Sequence, residues 1–193
     1  MYYALLATGL AYVAITLMVY IKPINRIDSA VASLITGINR PRPLDYTAIL
    51  LTRYGRFYTW GLVDLGLLVL RLWVPFTELT LSITLAYIIG GVTRLLVRRR
   101  RPYEVGYGKP ILAASGFSYP SGHAAVTFSG ALVVLMVLNK AVSLILLTEA
   151  ILVAASRVYL NAHYLTDVIG GVLLGLTSGL LAITLTPILI TLL

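Results

Sequence analysis

The chain contains two histidines, and each stands at the start of an apolar run beside other polar residues. His163 precedes Asp167 by four residues, so on a helix the two side chains would be neighbours. A carboxylate beside an imidazole fixes its tautomer and orients the other nitrogen, as a nucleophilic or basic histidine requires. Taken alone, the pair fits equally well an interfacial histidine followed by an acid favoured at a helix start.

The second histidine closes the tetrapeptide Pro-Ser-Gly-His at residues 120–123. Gly122 lets the backbone approach a ligand closely, and free amides at a helix start favour an anion. Ser121 adds a hydroxyl. His123 could give a proton to a leaving oxygen, because an unperturbed histidine titrates at about pH 6.5. Taken alone, the block also fits a simple helix entry turn.

A run of arginines, Arg-Leu-Leu-Val-Arg-Arg-Arg-Arg-Pro, occupies residues 94–102. We expect Arg94, Arg98 and Arg101 to share one face of a continuing helix that Pro102 stops. Guanidinium groups offer forked donors to phosphate oxygens and neutralise charge as a phosphoryl group is transferred. Considered alone, an arginine run beside a membrane span is more often a cytoplasmic anchor.

The elements that carry these residues are apolar enough for a membrane. Of 193 residues, 59% are hydrophobic and 11% are charged, unlike the average soluble domain. We expect an all-α integral membrane fold, a single domain over residues 1–193 built as a six-transmembrane-helix bundle. A span needs about 20 apolar residues. The predicted spans are 3–21, 57–76, 77–97, 124–139, 140–156 and 166–190, with a tight hairpin between the fourth and the fifth.

Residues 24–38 show helical spacing of apolar residues but are too polar to span a membrane. They predict an amphipathic helix lying in the membrane interface, and a short helix packed on the bundle is an equally good interpretation. Pro41 and Pro43 are expected to break this helix. The chain has no cysteine, so neither a disulfide framework nor a thiol nucleophile is available.

Small and acidic residues also lie inside the predicted spans. Gly171, Gly175 and Gly179 recur every four residues and predict the close approach of a neighbouring helix. Asp64 and Glu149 invite a transport hypothesis, because carboxylates within spans often mark ion or proton routes. Neither is predicted near the polar blocks, and paired or interfacial acids are the commoner explanation.

Six crossings would bring the polar blocks to one membrane face. Together they resemble the signature of the type 2 phosphatidic acid phosphatase superfamily, Lys-x6-Arg-Pro, Pro-Ser-Gly-His and Ser-Arg-x5-His-x3-Asp. The second and third blocks match at every fixed position, and the third consists of Ser156, Arg157, His163 and Asp167. The first differs once, with Arg94 where the family usually has lysine, which keeps the charge but changes its geometry. The blocks lie within residues 94–167.

The resemblance implies a metal-independent phosphatase or diphosphatase of membrane lipids with a phosphohistidine intermediate. His163 would attack phosphorus, Asp167 would orient it, and His123 would protonate the leaving oxygen before water hydrolyses the phosphoenzyme. The implied phosphate-binding residues are Arg94, Arg101, Ser121, Gly122 through its amide, and Arg157. The substrate classes implied are isoprenyl diphosphate, phosphatidic acid and phosphatidylglycerophosphate.

Other functions use the same residues. Two histidines and an aspartate could in principle bind zinc, but several arginines directed at one place would repel a cation. We therefore expect no cofactor and no metal. A phosphotransferase of the same superfamily would pass the phosphoryl group to a second lipid, and a membrane transporter or an inert phospholipid binder is a further alternative. The expected partners are the bilayer and a membrane lipid phosphate, without nucleic acid, and the oligomeric state stays open.

The basic residues predict the side of the membrane on which the site lies. If the first span leads toward the motif face, thirteen of the fifteen basic residues gather there, and Arg71 and Lys140 lie opposite. The positive-inside rule then favours a cytoplasmic site in a multi-pass protein of the cell membrane, near the headgroup region. Many members of the resembled family work on the outer or lumenal face, where recycling of a polyprenyl carrier would be favoured.

Overall fold

The computed structural model describes residues 1–191, and the last two residues of the predicted domain lie outside them. The described chain is helical and contains no strand, which confirms the all-α prediction. Its helices are α1 (Tyr2–Met18), α2 (Lys22–Gly37), α3 (Arg42–Tyr54), α4 (Phe57–Val69), α5 (Trp73–Val97), a short 3-10 helix (Pro102–Val105), α6 (Gly122–Val137), α7 (Lys140–Tyr159) and α8 (Leu165–Thr191).

Three helical segments of the described chain are long and apolar enough to cross a membrane. They are α5 with the segment after it, α7 and α8. Helices α1 and α2 would form a fourth as one span bent by 85°. With 13 and 16 residues, α4 and α6 are apolar but shorter than the roughly 20 residues that a span needs. The count of six crossings therefore stays a prediction.

The predicted boundary between the second and third spans, at residues 76 and 77, is wrong. Helix α4 ends at Val69 and α5 begins at Trp73. In the turn between them Arg71 takes a left-handed φ of +58°. Pro75 lies in the first turn of α5, where its missing N–H costs no helical hydrogen bond. The hairpin between α6 and α7 is confirmed, with the Asn139 side chain accepting from the Ala141 amide at 2.8 Å.

The segment before the second span holds two helices, of which the sequence predicted one. Helix α2 confirms the amphipathic helix, and it leaves Ile27 and Leu34 exposed. Its position in the membrane interface stays a prediction. Pro41 and Pro43 follow the end of α2. Pro43 also lies in the first turn of a new helix, α3. Helix α3 packs against α7.

Glycines let α8 pack tightly against α6, as their spacing predicted. A Cβ at Gly175 would lie 2.5 Å from the Ala125 carbonyl oxygen and 2.9 Å from the Ser129 amide nitrogen. At Gly171 it would lie 2.5 Å from the Ser121 carbonyl oxygen. Because those backbone atoms cannot move aside, any larger residue would force the helices apart. The contact holds the start of α6 beside the start of α8.

The predicted continuation of α5 through the arginine run is wrong. The helix ends at Val97, and Arg98 takes a left-handed φ of +49°. Arg98 is exposed, and its Nε donates to the Leu95 carbonyl oxygen at 2.9 Å. Arg94, Arg98 and Arg101 therefore do not share a helix face. The turn directs Arg99 and Arg101 to different partners.

Candidate active site

A cavity of about 300 Å³ opens where the polar blocks meet. Four arginines and both histidines line it, together with residues 112–115 of the loop before α6. Its polar lining consists of Thr52, Arg56, Arg94, Arg101, Ser115, Gly122, His123, Arg157 and His163. The fold thus brings together all the predicted site residues except Ser121 and Asp167, which lie outside this lining.

His163 lies between α7 and α8 and is 4% exposed. Its Nδ1 is 2.8 Å from the carbonyl oxygen of Ser118. A carbonyl oxygen only accepts, so Nδ1 donates and Nε2 is the unprotonated nitrogen, whose lone pair accepts from Arg101. Nε2 is 3.2 Å from Nη1 of Arg101, another residue of the cavity wall. Burial lowers the pKa of His163 to about 4, although Asp167 acts in the opposite direction.

Asp167 lies behind His163 and is fully buried. Its Oδ2 is 3.7 Å from Nδ1 of His163, longer than a hydrogen bond. Instead Oδ2 accepts from the hydroxyl of Ser118 and from the amide of Tyr164 at 2.9 Å. Ser118 therefore joins the two residues, since its carbonyl oxygen binds the imidazole and its hydroxyl binds the carboxylate. The sequence pattern placed Asp167 beside His163 but contained no signal for Ser118.

The other oxygen of Asp167 belongs to an ion-pair network that the sequence analysis missed. Arg99 donates from Nη1 to Asp167 Oδ1 at 2.7 Å and from Nη2 to Asp28 Oδ2 at 2.6 Å. Asp28 also accepts from the Thr166 amide at 3.1 Å, and Arg99 stacks over the Tyr164 ring at 4.1 Å. The network ties α2 to the start of α8. One signal existed, since Asp28 is the single acidic residue of α2.

Arg101 and Arg157 are held in the cavity wall by neutral acceptors. Arg101 is 4% exposed and donates to the carbonyl oxygens of Ala162, Gly116 and Ser115 at 2.7–2.9 Å. Arg157 is 2% exposed and donates from Nη1 to the Thr52 hydroxyl at 2.8 Å. In residues 1–191 neither guanidinium forms a salt bridge with a carboxylate. Their charges are therefore available to an anion.

Arg94 lies over the start of α6. A Cβ at Gly122 would be only 2.8 Å from Nη1 of Arg94, so the glycine makes room for the guanidinium. The first amides of a helix lack intrahelical acceptors and attract anions. Ser121 is fully buried, and its hydroxyl has no hydrogen-bond partner among the described residues. Its amide donates to the Asp167 carbonyl oxygen at 2.9 Å, which fixes the start of α6 against α8.

Thr52 and Arg56 are cavity residues that the sequence analysis missed. Thr52 belongs to α3, which was not predicted, and Arg56 stands in the turn before α4. Both lie well before the first signature block in the sequence. No spacing rule relates them to the blocks, and only the packing of α3 against α7 brings them to the site.

The two acidic residues that suggested transport, Asp64 and Glu149, have different surroundings. Asp64 accepts from the Thr80 hydroxyl at 3.0 Å, in agreement with the paired-acid explanation. Glu149 lies closer to the site than predicted. Its Oε1 is near Gly55, where an added Cβ would lie 2.6 Å from it, and Gly55 directly precedes the cavity residue Arg56. Across the described residues, no group of three potential metal-binding side chains occurs. The lining charges suit an anion.

The chain is similar to known proteins over 49–93% of its length. It is 33% identical to an undecaprenyl-diphosphatase of Sulfolobus acidocaldarius over 71% of this chain and 68% of the relative. It is 34% identical to a decaprenylphosphoryl-5-phosphoribose phosphatase of Mycobacterium tuberculosis over 49% of this chain and 51% of the relative. The fold resembles a transmembrane PAP2-type phosphatidylglycerolphosphate phosphatase of Bacillus subtilis, with a TM-score of 0.78, 24% identity and coverage of 93% and 94%.

The family model described as the PAP2 superfamily matches residues 75–190. That range includes all three signature blocks and ends in α8. The matched relatives are phosphatases, which confirms at family level the predicted class, a hydrolase of phosphate esters in membrane lipids. The predicted family is likewise confirmed, and the chain belongs to the PAP2 superfamily.

Proposed function

We propose that the protein is a metal-independent lipid phosphatase or diphosphatase that works through a phosphohistidine at His163. The observation that carries this proposal is the hydrogen bond from Nδ1 of His163 to the Ser118 carbonyl oxygen. It leaves Nε2 unprotonated, with its lone pair accepting from the guanidinium of Arg101. When the substrate binds, this guanidinium would donate to the phosphoryl oxygens instead and release Nε2 for attack. An uncharged imidazole in an arginine-lined cavity is suited to attack a phosphoryl group.

The proposed reaction has two steps. Nε2 of His163 forms a bond to phosphorus while the bond from phosphorus to the ester or bridging oxygen breaks. His123 gives a proton to that leaving oxygen. Water then attacks the phosphohistidine and gives a proton to His123, so that inorganic phosphate is released, Nε2 is freed and the proton donor is restored. Asp167 acts on His163 through Ser118 and is a positioning residue.

The other predicted residues hold the phosphoryl oxygens or the backbone around them. Arg94, Arg101 and Arg157 supply charged donors, and Gly122 supplies its amide at the start of α6. Ser121 was predicted to bind phosphate. Its burial outside the cavity lining supports a different role, which is to place the start of α6.

The proposed substrates are lipid phosphates or diphosphates whose tails stay in the bilayer. Relatives named for undecaprenyl diphosphate and for a decaprenylphosphoryl sugar phosphate support the isoprenyl class. The likeness to the phosphatidylglycerolphosphate phosphatase supports the fold. In the proposed layout α1, α4, α5, α6, α7 and α8 cross the membrane, with α2 in the interface.

We further propose that the site faces the cytoplasm, as the distribution of basic residues favours. The chain has no cysteine, so single-cysteine variants report sidedness directly. Arg100→Cys lies on the motif face and Lys140→Cys on the opposite face, and both positions are exposed. In intact cells a membrane-impermeant maleimide should label only the Lys140 variant. Labelling of the Arg100 variant alone would place the site outside.

The test of function is release of inorganic phosphate by the purified protein in detergent with excess EDTA. The lipid panel is isoprenyl diphosphate, isoprenyl monophosphate, phosphatidic acid and phosphatidylglycerophosphate, each run beside His163→Ala. We expect release that survives EDTA and disappears in the variant. Equal release by the variant would refute the mechanism. Transfer of phosphate to a second lipid, without net release, would instead indicate the phosphotransferase.

A further inference from the structure

We propose that Arg56 forms a second phosphate subsite, which makes the cavity selective for lipid diphosphates over lipid monophosphates. This inference rests on the proposed function. Arg56 is the one cavity arginine that lies outside the three signature blocks. It reaches the site from the turn between α3 and α4, whereas every other charged lining residue follows it in the sequence within or after α5.

The Arg56 side chain is held in place without a charged partner. Its guanidinium carbon lies 4.1 Å from the centroid of the Phe57 ring and 5.9 Å from that of Tyr87. The turn that carries it is pressed against α7, since a Cβ at Gly55 would lie 2.3 Å from Val153. In residues 1–191 the Nε of Arg56 is buried and has no hydrogen-bond partner. A pre-placed guanidinium with free donors is suited to bind an anion.

The cavity is larger than one phosphoryl group requires. At a water's share of about 30 Å³, a volume of about 300 Å³ holds roughly ten oxygen-sized atoms. One phosphoryl group fills less than half of that space. A diphosphate, with two phosphorus atoms and their oxygens, fits within it.

The charge of the cavity also matches a diphosphate. Four guanidinium groups line it, and the described lining contains no carboxylate. Near neutral pH a lipid monophosphate brings about two negative charges, and a lipid diphosphate brings about three. The diphosphate therefore neutralises more of the charge that the four arginines concentrate in this cavity.

In the proposed reaction Arg56 would bind the phosphate that departs. Arg101 is hydrogen-bonded to His163, the proposed nucleophile, whereas Arg56, in the described chain, has no hydrogen bond to His163 and lines the same cavity as His123. His123 is the proposed proton donor to the leaving oxygen. With a diphosphate, the bond from phosphorus to the bridging oxygen breaks and the lipid monophosphate departs with that oxygen. Arg56 would hold this departing phosphate and stabilise its growing charge.

The test compares farnesyl diphosphate with farnesyl monophosphate in detergent, because the two share one lipid tail. We expect Arg56→Gln to lower kcat/KM for the diphosphate by about tenfold to a hundredfold, as loss of a charge-assisted hydrogen bond predicts. For the monophosphate the loss should stay below about threefold. The matched control is Arg53→Gln, which removes an exposed charge three residues away and should leave both values unchanged.

A second measurement needs no variant. With the wild-type protein hydrolysing farnesyl monophosphate, inorganic pyrophosphate should compete about ten times more strongly than inorganic phosphate. Equal competition, or an Arg56→Gln variant that loses both activities alike, would overturn the subsite while the phosphatase itself stands. Absence of release from both lipids by the wild type would overturn the proposed function, and the subsite with it.

Discussion

Arg99 donates from Nη1 to the Oδ1 atom of Asp167 over 2.7 Å. The contact neutralises a fully buried carboxylate, and the other amino group of Arg99 reaches Asp28 on α2. Asp167 in turn accepts from the hydroxyl of Ser118, whose carbonyl oxygen fixes the proton on Nδ1 of His163. The orientation of His163, the proposed nucleophile, thus depends on Asp28 of the amphipathic helix α2. The connection runs through Arg99, Asp167 and Ser118.

Replacing Arg99 should therefore affect both stability and catalysis. Arg99→Gln leaves two buried carboxylates without their cation, which costs about 3 kcal/mol when one partner of a buried pair is removed. Because Arg99 does not line the cavity, kcat should fall while KM changes little. Thermal inactivation and Michaelis kinetics on one lipid measure the two effects.

The neighbouring Arg100 provides the control for this prediction. It is exposed and forms no salt bridge within the described chain, so Arg100→Gln should preserve both Tm and kcat. A variant at Arg99 that raises KM without lowering kcat would contradict the positioning role. It would instead indicate that Arg99 binds the substrate.

The protonation of His163 leads to a prediction about pH. Burial lowers its pKa to about 4, so the imidazole is neutral at pH 7 and gains its second proton only as pH falls toward that value. Nucleophilic capacity should be present above about pH 4 and lost below it. Since the substrate's own phosphate titrates at about pH 6, the histidine should be observed directly rather than through rates.

NMR of histidine-labelled protein makes that observation. With His123→Gln in place, the remaining histidine signal belongs to His163. We expect a titration midpoint near pH 4 and, at neutral pH, the tautomer with the proton on Nδ1. A midpoint close to the ordinary value of about 6.5, or a proton on Nε2, would contradict the proposed nucleophile.

The sequence predicted the site residues that stand at fixed spacings within the three signature blocks. His163 and Asp167 come together because His163 precedes α8 and Asp167 lies in its first turn. His123 lies in the first turn of α6, directly after the glycine that begins this helix. Arg56 and Asp28 were missed because each reaches the site through tertiary packing from an element far away in sequence, a turn for Arg56 and α2 for Asp28. No local pattern encodes such a contact.

One wrong prediction concerns where α5 ends. The arginine run was expected to continue α5, because arginine favours helices and Pro102 was the first evident stop. The helix ends earlier, at Val97, and the next residue, Arg98, has a left-handed backbone that is uncommon for a residue other than glycine. Tertiary partners decide this end, since the turn lets Arg99 reach Asp167 and Arg101 reach His163. Propensity alone does not contain that information.

Chelation should leave activity unchanged. Four guanidinium groups line the cavity and repel a divalent cation from the place where the phosphoryl group binds. Phosphate release should therefore be equal with and without excess EDTA after prolonged incubation. A loss of activity that added Zn²⁺ or Mg²⁺ restores would show that a metal takes part, and would refute the metal-independent mechanism.

Because α6 and α8 lie in close contact, adding a single methyl group at Gly175 should lower the stability of the protein. In Gly175→Ala the new Cβ would lie 2.5 Å from the backbone oxygen of Ala125, which cannot rotate away. We expect a loss of about 1–3 kcal/mol, as for overpacking elsewhere, and a lower Tm in detergent. Gly91→Ala is the control, because a Cβ at that position would have no neighbour within 4 Å and a helical alanine is intrinsically favourable. Equal stability of the two variants would contradict the close approach.

Arg94 tests whether the departure from the usual lysine of the signature matters. Its guanidinium lies against Gly122 at the start of α6. There a forked donor would bind two oxygens of one phosphoryl group. Arg94→Lys keeps the charge but loses the fork, so kcat/KM should fall by only about threefold to tenfold. Arg94→Ala removes the charge as well and should cost about a hundredfold or more, since a donor to the transition state is worth about 2.7–4 kcal/mol. Steady-state kinetics on one lipid decide between these results. Equal losses in both variants would show that the fork, rather than the charge, is what the phosphoryl group requires at this position.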